Sequence, residues 1–203
     1  MKRIRKWLLL AALSAILFGA VQTVQQQREL SEKLVRLHVL ANSNEEADQT
    51  MKLRVRDAVL REVSALTADC ATREETIARL RENLGQIRQA ASQALRQAGQ
   101  PQEVAVSLGK ELFSTRVYDT FSLPAGEYTS LRVEIGEAAG RNWWCVVFPT
   151  LCAAAERDDL QTVAAGAGFS DDQIALITGQ DQNYELKFKF LEGLEKLRAL
   201  FTK

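Results

Sequence analysis

Leu34-Val-Arg-Leu-His-Val-Leu-Ala41, followed at once by Asn42-Ser-Asn44, is the stretch that decides the fold. Val35, Leu37 and Val39 alternate against Arg36 and His38, which is the period of a strand. Asn42-Ser-Asn44 breaks it. Ser43, with Glu46 three residues on, reads as a capping box that opens a helix. Met51, Val55, Ala58, Val59, Val63 and Leu66 then recur at helical spacing as an apolar stripe, which only Glu62 interrupts.

Downstream, Thr72 and Glu75 form a second capping box. Ile77, Leu80, Leu84, Ile87, Ala91, Ala94 and Ala98 predict one long helix, ended by Gly99 and Pro101. Val104, Val106 and Leu108 alternate as a strand. Leu112–Phe121 is mixed, and Pro124-Ala-Gly126 is a turn. Tyr128–Ile135 and Asn142–Phe148, joined by the Gly136–Gly140 loop, predict a β-hairpin. Ser170 and Gln173 cap a short helix. In the last segment Tyr184, Leu186, Phe188 and Phe190 alternate, whereas Leu191, Leu194, Leu197 and Phe201 have helical spacing. An extended entry followed by a helix is expected. The order β-α-α-β-β-β-β-α predicts an α/β two-layer sandwich, helices packed on a mostly antiparallel sheet.

Upstream, Lys2, Arg3, Arg5 and Lys6 precede the uncharged run Trp7–Gln27. A basic cluster ahead of an apolar core at Trp7–Val21 reads as a secretory signal. As a helix, Trp7–Val24 would span about 27 Å, close to the hydrocarbon thickness of a bilayer. No clean A-x-A cleavage motif follows Gly19, Ala20 and Val21, which favours retention as a signal-anchor. The basic cluster stays inside, so the body lies outside the cytoplasm. Residues 1–27 are therefore expected to be a signal peptide or signal-anchor, and 28–203 a single extracytoplasmic globular domain. Lys+Arg and Asp+Glu number 26 each, so no basic face recommends nucleic acid as a partner. A hydrophobic share of 46% with three prolines is that of a globular chain.

The chemistry-bearing residues are few. His38 is the one histidine. A hydrolase reading makes it a general base oriented by Asp48 or Asp57. No Gly-x-Ser-x-Gly elbow supplies a nucleophile, and no HExxH or CxxC supplies a metal site, so no metal and no cofactor are expected. The bland reading, a histidine bonded locally at a strand edge, is preferred. Cys145 and Cys152 flank Pro149, which can turn the chain so that positions seven apart approach. Outside the cytoplasm a disulfide between them is permitted; the other readings are two buried thiols or, least favoured, a metal site. Cys70 is the odd one out. Trp143 and Trp144 are strand neighbours and point to opposite faces. One can enter the core while the other meets solvent or a partner, unless a helix covers it. Asp57–Arg61 and Asp48–Lys52 are i,i+4 pairs on the polar side of the first helix.

Several of these segments resemble the stage II sporulation protein R family. Arg36-Leu-His-Val-Leu-Ala-Asn-Ser43, Asp48-Gln49 and Lys52-Leu-Arg-Val-Arg-Asp57 carry the resemblance first. Leu123-Pro-Ala-Gly-Glu-Tyr128, Leu131-Arg-Val-Glu-Ile-Gly136, Asn142-Trp-Trp-Cys-Val-Val-Phe-Pro149 with Cys152, and Lys187-Phe-Lys-Phe-Leu-Glu192 continue it across about residues 34–192. The chain departs at Thr150, where the family usually has a second proline, and at Glu137-Ala-Ala139, where it has a Gly-rich loop. The resemblance implies a sporulation signal, made in the forespore and exported into the space facing the mother cell. There it would activate a membrane-embedded aspartic protease, stage II sporulation protein GA, so that the sigma-E precursor is processed. It implies a ligand and not an enzyme. The distinctive segments mark His38, Asn42, Asp48, Lys52, Arg56, Asp57, Asn142, Trp143 and Trp144 as candidate partner-binding residues.

Overall fold

Strand β1 (Val35–Leu40) is buried at every position, because it lies inside the sheet and both of its faces are covered. The computed structural model describes residues 2–152, 159–180 and 184–201. Helix α1 (Lys2–Ser31) precedes β1, and α2 (Glu46–Leu66), α3 (Arg73–Glu82) and α4 (Leu84–Gln97) follow it. Then come β2 (Val104–Phe113), the short β3 (Arg116–Val117) and β4 (Ser122–Leu123), β5 (Gly126–Ile135) and β6 (Asn142–Phe148). Helices α5 (Leu160–Gly166), α6 (Asp171–Ile177) and α7 (Tyr184–Phe201) close the chain.

The main sheet has the order β2-β5-β1-β6, and β3 pairs with β4 separately. β2/β5 and β1/β6 are antiparallel, while β1/β5 is parallel, so the α/β sandwich has a mixed, mostly antiparallel sheet. β5 and β6 are not a hairpin, contrary to expectation, because β1 lies between them. β1 lies inside the sheet beside β5, and both of its faces are shielded from water. The 136–141 connection therefore has to cross the end of β1 rather than turn back on itself.

The predicted stripe of α2 packs on one face: Met51, Val55, Val59 and Val63 join Leu37, Val39, Leu131 and Val133 in one cluster. Leu80, Ile87, Ala91 and Leu95 complete it from α3 and α4. The second helix is broken at Asn83, which closes α3 and opens α4. The capping boxes at Thr72–Glu75 and Ser170–Gln173 are formed. The one at Ser43 is not: α2 starts after Glu45, and the Ser43 hydroxyl donates to Asp48.

The other face is covered by a second cluster, with Leu30, Phe113, Phe121, Tyr128, Val146 and Phe169 among its members. Leu30 belongs to α1, whose apolar window is otherwise wholly exposed. Helix α1 thus begins as an apolar rod and ends as part of the core. α7 is helical from Tyr184, without the extended entry expected. Tyr184, Phe188 and Leu191 satisfy i, i+4, i+7, and Phe188 and Leu191 are buried.

Candidate partner-binding site

β6 is an edge strand whose two tryptophans go to opposite sides of the sheet, each half-buried. Trp143 pairs with Val39 and shares the α2 side, where the Arg56 guanidinium lies 5.1 Å over its ring. Trp144 pairs with His38 on the opposite side. The two faces have different chemistry.

On the α2 side, Arg56, Asp57, Trp143, Cys145 and Cys152 converge on a groove of about 320 Å³, floored by Leu60 and Val63. Arg56 is held by Asp57 at 2.7 Å. Cys145 is buried and Cys152 half-buried, and no disulfide joins them here. A hydrogen bond with Cys152, then burial, pushes the Cys145 thiol well up, which leaves it a poor nucleophile. The Cys152 sulfur accepts the Val146 N–H at 3.3 Å.

On the opposite side, the His38 ring stacks on Trp144, with centroids 3.6 Å apart, and its Nδ1 contacts Glu111 Oε1 at 2.7 Å. Arg132 donates to the same Glu111 oxygen at 2.7 Å and reaches Glu134 at 2.8 Å. Burial pushes the Glu111 carboxyl up, but the His38 contact and Arg132 hold it below the ordinary glutamate range. His38 is thus oriented by Glu111, not by Asp48 or Asp57. Its partner comes from β2, two strands away, so the bond is not local either.

Asn42, Asp48 and Lys52 form a third group, a clasp on the crossover. Asp48 accepts from Ser43, Asn42 and Gln102 at 2.6, 2.7 and 2.9 Å. Those bonds, with Ser43 contributing most, hold its carboxyl below the ordinary range. Asn42 in turn accepts the Glu137 N–H through Oδ1 and the Ala139 N–H through its carbonyl. The Lys52 ammonium donates to the Arg141 carbonyl at 3.0 Å. Burial, then Arg141 and Arg56, lower its proton affinity. Asp48 and Lys52 are buried, so their visible work is to hold the 136–141 loop over the end of β1. Asn142, the first residue of β6, is exposed beside this clasp.

The sequence pattern of the family described as Stage II sporulation protein R (spore_II_R) matches residues 31–158. The chain belongs to the stage II sporulation protein R family. Stage II sporulation protein R of Bacillus subtilis (strain 168) is 35% identical over 133 residues, which is 66% of this chain and 59% of that relative. This chain therefore spans about 59% of the relative's length in the match. No solved structure matches. The family match takes in β1 to β6, hence both tryptophan faces and the clasp. It leaves out Lys187–Glu192, on which part of the resemblance had rested.

Sequence reading of this sporulation protein R chain missed Arg36, Glu111, Arg116 and Arg132. Arg36 reads as the polar side of a half-exposed strand, yet it is fully buried, with its guanidinium 3.9 Å over Phe113 and 4.8 Å over Tyr128. An arginine in so apolar a strand was the available signal. Arg116 falls in the mixed stretch Leu112–Phe121 and Glu111 just ahead of it, and only the fold brings them beside Trp144 and His38.

Proposed function

We propose that this chain is an exported signalling ligand of sporulation. In this reading it is made in the forespore, faces the space between forespore and mother cell, and acts on the membrane-embedded aspartic protease stage II sporulation protein GA. That protease then processes the sigma-E precursor. The observation that carries the reading is membership of the family over residues 31–158. An N-terminal helix with an exposed apolar window, preceded by basic residues, fits export or membrane attachment with the body outside.

A ligand needs a surface rather than a nucleophile. The β6 edge supplies one, with two half-buried tryptophans flanked by arginines, the residue types that anchor interfaces. The hydrolase reading is not favoured. His38 is 3% exposed beneath Trp144, and its acidic partner is already engaged by Arg132. The test is co-expression of this chain with its cognate protease and the sigma-E precursor in a non-sporulating host. Processing that depends on this chain is the expected result; processing that is absent, or independent of it, counts against the reading.

A further inference from the structure

The outer edge of β6 carries chemistry that the sheet itself leaves unused. β6 pairs with β1 alone in the main sheet. The Val146 N–H points away from β1, onto Cys152. By the alternation of an antiparallel strand, the N–H groups of Trp144 and Asn142 point the same way. Among the described residues no strand other than β1 meets them.

Each side of that edge offers something different. On the α2 side is the apolar groove beside Trp143. On the other side the Arg116 guanidinium lies 4.5 Å over the Trp144 ring. Among the described residues Arg116 has no ion pair, and its buried Nε has no acceptor. Behind it Arg36 is fully buried and donates to Tyr118 at 3.0 Å, but among the described residues its Nε and Nη1 have no acceptor. Among the described residues the buried His38 Nε2 is also without a partner. The carboxylate that contacts His38, Glu111, is also engaged by Arg132. Burial, then the Arg36 charge, lowers the proton affinity of Arg116. Arg36 is kept out of water and Arg116 partly so, and among the described residues neither has a counter-charge, so the pair favours an incoming anion.

A strand added to an edge sends successive side chains to opposite faces. We propose that the outer edge of β6 docks an extended segment of a partner protein in which apolar and acidic residues alternate. Its main chain pairs with Asn142–Cys145. One apolar side chain enters the groove beside Trp143, and the neighbouring carboxylate meets Arg116. For the partner's identity the proposal rests on the ligand reading; the chemistry of the edge is tested without it.

The full-length chain in detergent micelles is titrated with acetyl-Glu-Leu-Glu-Leu-Glu-Leu-amide and with its lysine counterpart, following backbone amide shifts by NMR. Saturable binding of the glutamate peptide is expected, about tenfold or more tighter than the lysine peptide, as one charge-assisted contact provides. Arg116→Glu should remove that preference. Asn142→Pro, which removes an N–H that β1 does not use, should abolish binding with thermal unfolding unchanged. Arg116→Gln serves if the glutamate variant does not fold. Equal binding of the two peptides, or unchanged binding in these variants, overturns the proposal. Self-association that Asn142→Pro abolishes would give the edge to a second copy, and also overturns it. In the co-expression assay, full processing with both variants contradicts the docking edge. Loss of processing with the wild-type chain itself contradicts the ligand reading and leaves the peptide result standing.

Discussion

Asp48 holds three side chains at once, and they come from two distant parts of the chain. Ser43 and Asn42 come from the loop after β1, Gln102 from the entry to β2. Asp48→Asn should therefore cost about 1.5–3 kcal/mol at neutral pH, the worth of hydrogen bonds to a charged group. The folded-state carboxyl lies below its ordinary value of 3.8. Its contribution is thus present above that value and is lost as the pH falls through the folded one. Urea unfolding of both proteins should show a gap that is full at neutral pH and closes as the pH falls below 3.8; a gap that widens in acid would contradict the assignment. Asn42 and Asp48 were legible in the sequence as distinctive residues, but their role was not. A capping box and a loop clasp use the same residue types, and only the position of the crossover decides between them.

At the scale of elements, the 136–141 loop is what turns an apparent hairpin into a crossover. Its passage is close. The Gly140 amide donates to the Ala41 carbonyl at 2.9 Å, and a Cβ on Gly140 would run into the Ser43 carbonyl. Gly140→Ala should destabilise by about 1–3 kcal/mol, the range for overpacking against fixed neighbours. Gly85→Ala on α4, where a Cβ meets nothing within 4 Å, should instead stabilise by up to about 1 kcal/mol. Thermal unfolding of the two variants checks the contrast in sign, and equal effects would contradict the crossover geometry. The strands themselves were readable from alternation, and α2 from its stripe. Their pairing was not, because alternation reports which face a residue takes and not which neighbour a strand has. The break at Asn83 was hidden for a similar reason: the apolar spacing continues through it, and a stripe does not record where the backbone bends.

For the molecule as a whole, the N-terminal helix is a single rod serving two solvents. The large apolar side chains from Trp7 to Val24 are exposed, yet Gln27 and Leu30 are buried in the domain. Leu30→Ala should cost about 2–5 kcal/mol, as for other fully buried leucines. Deleting residues up to 20 should leave the domain folded, as circular dichroism and urea unfolding would show. The apolar window was plain in the sequence; the burial of its last turn was not, because Gln27 and Leu30 lie among charged neighbours that look solvent-facing. A ligand that switches on another protein's proteolysis is detected through the product of that proteolysis. The most direct measurement is the appearance of processed sigma-E precursor in a non-sporulating host that makes the precursor, the cognate protease and this chain. Processing with the intact chain, absent without it and retained in His38→Ala, is the predicted result. Processing that is the same whether or not the chain is made would contradict the account.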